Sequence, residues 1–152
     1  METVQDILAT KGKEVYSVGP EATLYESLEK MADLNIGAIL VLDENDRILG
    51  IFSERDFVRK IIIKGRDGDT TKVRQIMTTR VLYVEPSTAI SDCMNLMTEK
   101  RVRHLPVISD GKPVGVISIG DVVKAVLRKQ ETLISQQAFQ IGQLERYIAG
   151  GP

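Results

Sequence analysis

Apolar and polar positions alternate along this chain in a pattern that is read twice. Leu24, Leu28, Met31 and Ala32 recur at helical spacing behind Thr23-Leu24-Tyr25-Glu26, a capping-box sequence, and predict a helix that ends near Asn35-Ile36-Gly37, with glycine suited to a left-handed exit. The apolar run Ala38 to Leu42 predicts a buried strand. The polar turn Asp43-Glu44-Asn45-Asp46 follows, then a second strand from Ile48 to Ser53 and a helix from Asp56 to Ile63. The second reading keeps this order. It has a strand over Val81 to Val84 and a helix opened by Pro86-Ser87-Thr88 with Ile90, Met94 and Met97 as its buried stripe. Strands at Leu105 to Ile108 and Val114 to Ser118 then flank the tight turn Asp110-Gly111-Lys112, and a helix runs from Asp121. Neither copy can bury both faces of its strands alone, so the two are expected to pack together about a pseudo-two-fold axis.

Outside the copies the pattern predicts a short opening helix over Val4 to Ala9, a polar linker from Gly65 to Thr71, and one helical turn at Val73 to Met77. A helical tail carries Leu127, Ile134, Ile141, Leu144 and Ile148 roughly on one stripe. That tail is expected to pack on the body or on a second subunit. The fold class is therefore α/β (α+β), with two β-α-β-β-α motifs, an N-terminal helix and a C-terminal helical tail. The boundaries are 1–64 for the first unit, 65–80 for the linker, 81–130 for the second unit and 131–152 for the tail.

Composition narrows the function without naming it. A net charge of −1 over 152 residues argues against a dedicated nucleic-acid binder. No apolar run approaches the roughly 20 residues of a membrane-spanning helix, and the acidic N-terminus lacks a signal-peptide pattern. The single cysteine, Cys93, excludes an internal disulfide and fits a cytoplasmic setting. It lies beside a buried stripe and reads as core rather than nucleophile. The methionines 31, 77, 94 and 97 read as core filling. With one histidine, His104, a zinc site has no partners. His104 is either a strand-edge residue or a contact to a ligand phosphate. The basic run Arg59, Lys60, Lys64, Arg66, Lys72 and Arg74 reads as a solvated helix end, with contact to a phosphate or a partner as the alternative.

The repeat also carries a chemical motif. Gly50-Ile51-Phe52-Ser53-Glu54-Arg55-Asp56 returns as Gly115-Val116-Ile117-Ser118-Ile119-Gly120-Asp121. Each copy ends a strand on a hydroxyl and places a carboxylate three residues on, where a helix begins. One reading is a pair of helix caps. The other is a pair of ligand sites, since free N–H groups at a helix start attract anions and a carboxylate can accept both hydroxyls of a ribose.

These repeated motifs, with Arg103-His104-Leu105-Pro106-Val107-Ile108, resemble a tandem pair of CBS domains, the Bateman module, of the small stand-alone bacterial type. The resemblance runs from about Lys11 to Leu127. It implies a regulatory protein that binds adenine nucleotides in clefts between the copies, AMP first, with ATP, NAD-type dinucleotides or S-adenosylmethionine as alternatives, and with no catalysis or catalytic cofactor of its own. By resemblance, Asp56 and Asp121 hold ribose, Ser53 and Ser118 sit beside sugar and phosphate, and Ile51 and Val116 flank the base. The Asp56 cleft is then expected to add Arg55 with Thr79, Val81, Val102, Arg103 and His104. The Asp121 cleft is expected to add Gly120 with Lys13 (and Lys11 from the same loop), Val15, Ile36, Gly37 and Ala38. The resemblance further implies a homodimer through the helices at 24–34 and 90–101 and a separate effector protein. The rival readings are an enzyme of nucleotide metabolism, for which no phosphate loop, metal cluster or nucleophile–base pair is visible, and a nucleic-acid-binding or protein-interaction scaffold.

Overall fold

The computed structural model describes residues 2–148, with side chains through residue 143. Two sheets carry the molecule. In the first, β1 (Ser17–Val18) lies parallel to β2 (Ala38–Leu42), which pairs antiparallel with β3 (Ile48–Ser53). In the second, β4 (His104–Ser109) pairs antiparallel with β5 (Lys112–Ser118). The helix α2 (Leu24–Leu34) backs the first sheet, burying Leu24 and Met31 against Ile39, Val41 and Phe52. Its counterpart α5 (Ile90–Lys100) backs the second, burying Ile90, Cys93 and Met97 against Leu105, Val107 and Ile117.

Local chemistry accounts for most boundaries. Thr23 Oγ1 accepts from the Glu26 N–H at 3.1 Å and starts α2. Asp43 Oδ1 accepts from the N–H groups of Asn45 and Arg47, which closes the β2–β3 turn. Asp110 and Gly111 both take positive φ (53° and 77°), as a tight hairpin with the right-handed twist of its strands requires.

Four expectations need correction. The left-handed exit of α2 is made by Asn35 (φ 54°), not Gly37. Asparagine tolerates that conformation well enough to stop the helix two residues earlier. The strand expected over Val81 to Val84 shrinks to a single parallel bridge between Val84 and Val107. Pro106 stands where the first sheet has Leu40, so it has no N–H to extend the ladder, and Pro86 ends the segment on the other side. The helix expected over Asp56 to Ile63 starts as α3 (Glu54–Asp56) and continues as a π-helical segment, Phe57–Ile62. The β-branched run Ile61-Ile62-Ile63 crowds a regular turn, and the wider coil buries Ile61 while leaving Ile62 and Ile63 exposed. The helical tail is not separate from the second unit: α6 runs unbroken over Ile119–Ile148. From Leu127 to Gln143 every residue except Gly142 is exposed, so the body is not what the tail packs on. Leu144, Ile148 and residues 149–152 lie outside the described side chains.

The linker does more than connect. Helix α4 (Val73–Ile76) buries Val73 and Ile76 in the core of the first unit, against Phe52 and Ile61. The opening helix α1 (Val4–Lys11) buries Val4, Ile7 and Leu8 in the core of the second unit. The sequences match, Thr3-Val4-Gln5-Asp6-Ile7-Leu8 against Lys72-Val73-Arg74-Gln75-Ile76-Met77, so α1 and α4 are themselves a repeated element. Each belongs in sequence before one unit and packs in space on the other. Both press on a glycine of the sheet. A Cβ at Gly50 would lie 2.6 Å from Met77 Sδ, and a Cβ at Gly115 would lie 2.6 Å from Leu8 Cδ2.

Candidate functional site

Each Ser-x-x-Asp pair closes a reciprocal box at the end of the strand that precedes it. The Ser53 N–H donates to Asp56 Oδ2 at 3.1 Å, and the Asp56 N–H donates to Ser53 Oγ at 3.2 Å. The Ser118 N–H donates to Asp121 Oδ2 at 2.8 Å, and the Asp121 N–H donates to Ser118 Oγ at 3.2 Å. Both carboxylates therefore cap. Both also line clefts, so the capping bonds leave each a role at the surface. The register fixes what stands opposite the hydroxyl: Ala38 pairs with Ser53, and His104 pairs with Ser118.

The Asp56 cleft has a volume of about 300 Å³, and the Asp121 cleft about 310 Å³. Both lie at the low end of the range for small-molecule sites. Each takes its Ser-x-x-Asp turn from one unit and its facing wall from the other. Ile51, Ser53, Arg55 and Asp56 meet Val102, Arg103 and His104, while Val116, Ser118 and Asp121 meet Ile36, Gly37 and Ala38.

Other expected residues fall elsewhere. Thr78, not Thr79, lines the Asp56 cleft, because two backbone bonds to Ile51 (3.0 and 2.9 Å) hold it inward and leave Thr79 exposed. Val81 does not reach that cleft. Of the two lysines expected in the Asp121 cleft, Lys11 lines it and Lys13 does not, and Tyr16 with Glu14 replaces Val15. The cause is the length of α1: it stays helical to Lys11, and Gly12 (φ 105°) then turns the chain, so Lys13 points to solvent. Gly120 is exposed and lines neither cleft.

Sequence reasoning missed Glu54, Arg59 and Arg101 in the Asp56 cleft and Glu14, Tyr16 and Asn35 in the Asp121 cleft. Asn35 and Arg101 hold equivalent positions in the two copies, at the left-handed exits of α2 and α5 (φ 54° each). Matching the copies position by position finds both. The basic run also divides. Arg59 reaches the cleft, Lys60 donates to the Ile76 carbonyl at 2.9 Å and lies 3.5 Å from Asp56, and Arg74 pairs with Glu21 at 2.9 Å.

Electrostatics separate the clefts further. Burial by itself would raise the Asp121 carboxyl, but the Lys11 ammonium at 2.7 Å and the Ser118 N–H outweigh it and hold the group below its ordinary value. Lys11 also donates to the Val116 carbonyl at 2.7 Å. Burial pushes the Cys93 thiol up to about 11, as for a core cysteine with no reactive role. Among the described residues no group of three or more His, Cys, Asp or Glu could hold a metal ion, and no helix is long and apolar enough to cross a membrane.

His104 and Gly37 line both clefts and form the wall between them; a Cβ at Gly37 would sit 3.3 Å from His104 Nε2. Burial, then the Lys11 charge, holds the imidazole below its ordinary 6.5, with Asp121 opposing and Arg103 adding to the depression. His104 is thus a neutral donor and acceptor at pH 7. The unfolded chain takes up this proton first, so the stability it represents is present above pH 6.5 and is lost as pH falls through 6.5 toward the folded value. Melting temperatures between pH 7.5 and 5.5 should fall, and His104→Gln should flatten that fall. An equally steep fall in the variant would assign the effect to other groups.

The CBS-domain family model matches residues 4–63 and 73–128. The chain belongs to the CBS-domain family. The two matched spans begin at α1 and α4, which agrees with the repeat seen in the structure. The chain is 37% identical over 98% of its length to the mitochondrial CBS domain-containing protein CBSX3 of Arabidopsis thaliana, covering 73% of that protein. A protein with CBS domains from Burkholderia ambifaria MC40-6 is 46% identical and superposes with a TM-score of 0.81, over 85% of this chain and 96% of that one. CBSX2, solved in complex with AMP, is 27% identical with a TM-score of 0.69, over 86% of this chain and 99% of that one. Tandem CBS modules are generally regulatory and bind adenine nucleotides.

Proposed function

We propose that this protein is a regulatory sensor that binds adenine nucleotides in its two clefts and has no catalysis of its own. AMP is the first candidate, with ATP and NAD-type ligands as alternatives. The observation that carries this reading is the build of the clefts. Each sets a carboxylate and a hydroxyl at a strand-to-helix turn of one unit against a wall supplied by the other. A ligand there touches both units, so its differential affinity for their packed arrangements is what drives a response. Under this reading the protein works as a homodimer within the cytoplasm and passes its state to a separate effector protein.

The test is thermal unfolding with AMP, ADP, ATP, NAD and S-adenosylmethionine. A ligand that binds only the folded state stabilises it by about 2.7 kcal/mol at 100 times its Kd. The double variant Asp56→Ala/Asp121→Ala should lose most of that gain. The capping bonds described above favour a second reading, a scaffold whose Ser-x-x-Asp pairs only cap. No shift with any of the five at millimolar concentration would establish that one instead.

A further inference from the structure

The two clefts occupy equivalent positions of the repeat and carry opposite charge. Where the Asp121 cleft has Asn35 and Gly37, the Asp56 cleft has Arg101 and Arg103; Arg55 stands where the second copy has Gly120. Arg59 makes a fourth guanidinium at the same mouth. Against Glu54 and Asp56, the only carboxylates lining it, four arginines leave a formal balance of +2. None of the four forms an ion pair among the described residues, and like charges gathered at one mouth repel unless an anion joins them. Arg101 also holds a left-handed backbone (φ 54°), a conformation unfavourable for a residue with a long side chain. The Asp121 cleft has Lys11 against Glu14 and Asp121, a balance of −1, and Lys11 is already engaged by Asp121 and the Val116 carbonyl. Glu14 accepts the Tyr16 hydroxyl at the same rim.

We propose that the clefts sort adenine ligands by phosphate. The Asp56 cleft takes a nucleoside di- or triphosphate, its guanidiniums forking onto phosphate oxygens. The Asp121 cleft takes an adenosine-bearing ligand without net negative charge. This rests on the reading of both clefts as adenine sites.

Calorimetric titration with ATP, AMP and adenosine tests it, using Asp121→Ala to isolate one cleft and Asp56→Ala to isolate the other. In Asp121→Ala, ATP should bind at least tenfold tighter than adenosine; in Asp56→Ala the order should reverse. The double variant Arg101→Asn/Arg103→Gly imports the residues of the other cleft. It should weaken ATP at least tenfold more than it weakens adenosine, with Arg59→Ala as a milder version if the double variant melts early. Glu14→Gln should tighten ATP in the Asp121 cleft. ATP binding equally to both clefts, or untouched by the arginine changes, overturns the sorting and leaves the adenine reading standing. No binding of any of the three to the wild-type protein overturns both.

Discussion

Asp56→Ala should raise the Kd of the Asp56 cleft for ATP roughly 100-fold. A hydrogen bond to an ionised acceptor contributes about 1.5–3 kcal/mol, and this carboxylate is placed to accept two ribose hydroxyls, so a loss of about 3 kcal/mol is expected. Asp56→Asn keeps an acceptor oxygen without the charge and should cost about tenfold by the same arithmetic. Asp56 also closes the box with Ser53, so the alanine variant should lose about 1 kcal/mol of stability. Titrations well below the melting temperature separate the two effects. Unchanged affinity in both variants, with only the stability loss, would leave Asp56 a cap and nothing more.

Gly50→Ala should destabilise the fold by about 3 kcal/mol, the upper end for overpacking, and more than Gly115→Ala. The contacts explain the contrast. At Gly115 the new methyl meets the Leu8 side chain alone, which has to repack within the core but moves no backbone. At Gly50 it meets Met77 and also the Thr78 carbonyl at 2.8 Å. That carbonyl is bonded to the Ile51 N–H at 3.0 Å and cannot retreat without breaking the bridge. Ile51 and Thr78 both line the Asp56 cleft, so ligand affinity there should weaken as well. Denaturant midpoints for the two variants check the ranking; equal midpoints would refute the account of how α4 is seated.

Much of this architecture was legible because periodicity and capping chemistry are local. The Thr23 cap, the helical stripe of Leu24 and Met31, and the Ser-x-x-Asp turns all follow from residues within seven positions of one another. The misses are non-local. Whether Lys11 or Lys13 reaches a cleft depends on where α1 stops, and α1 is held by a core supplied from the far half of the chain. Whether Val81 to Val84 forms a ladder depends on a proline in a different strand. Thr78 supplanted Thr79 through a bridge to Ile51, and a change of one residue along an extended segment turns the side chain to the opposite face. Arg59 and Arg101 were hidden differently. One sat within a charged run that reads as solvent-facing, and the other at a helix exit where arginine is unusual.

The exchange of α1 and α4 between the units sets an order of assembly during synthesis, which runs from the N-terminus. The first unit receives its closing helix as soon as Val73 and Ile76 have been made, directly after its own strands. Helix α1 is made before either unit, yet the apolar face formed by Val4, Ile7 and Leu8 has no core to enter until Leu105, Ile117 and Val122 exist. A nascent chain therefore carries an uncovered amphipathic segment throughout the making of its first half. A fragment cut at the edge of the sequence repeat, after residue 63, would keep that orphan and lack the helix it needs. The piece that keeps its own closing helix is instead bounded by space, from about Val15 to Thr78, and a gene fusion or dissection of this module should be cut there.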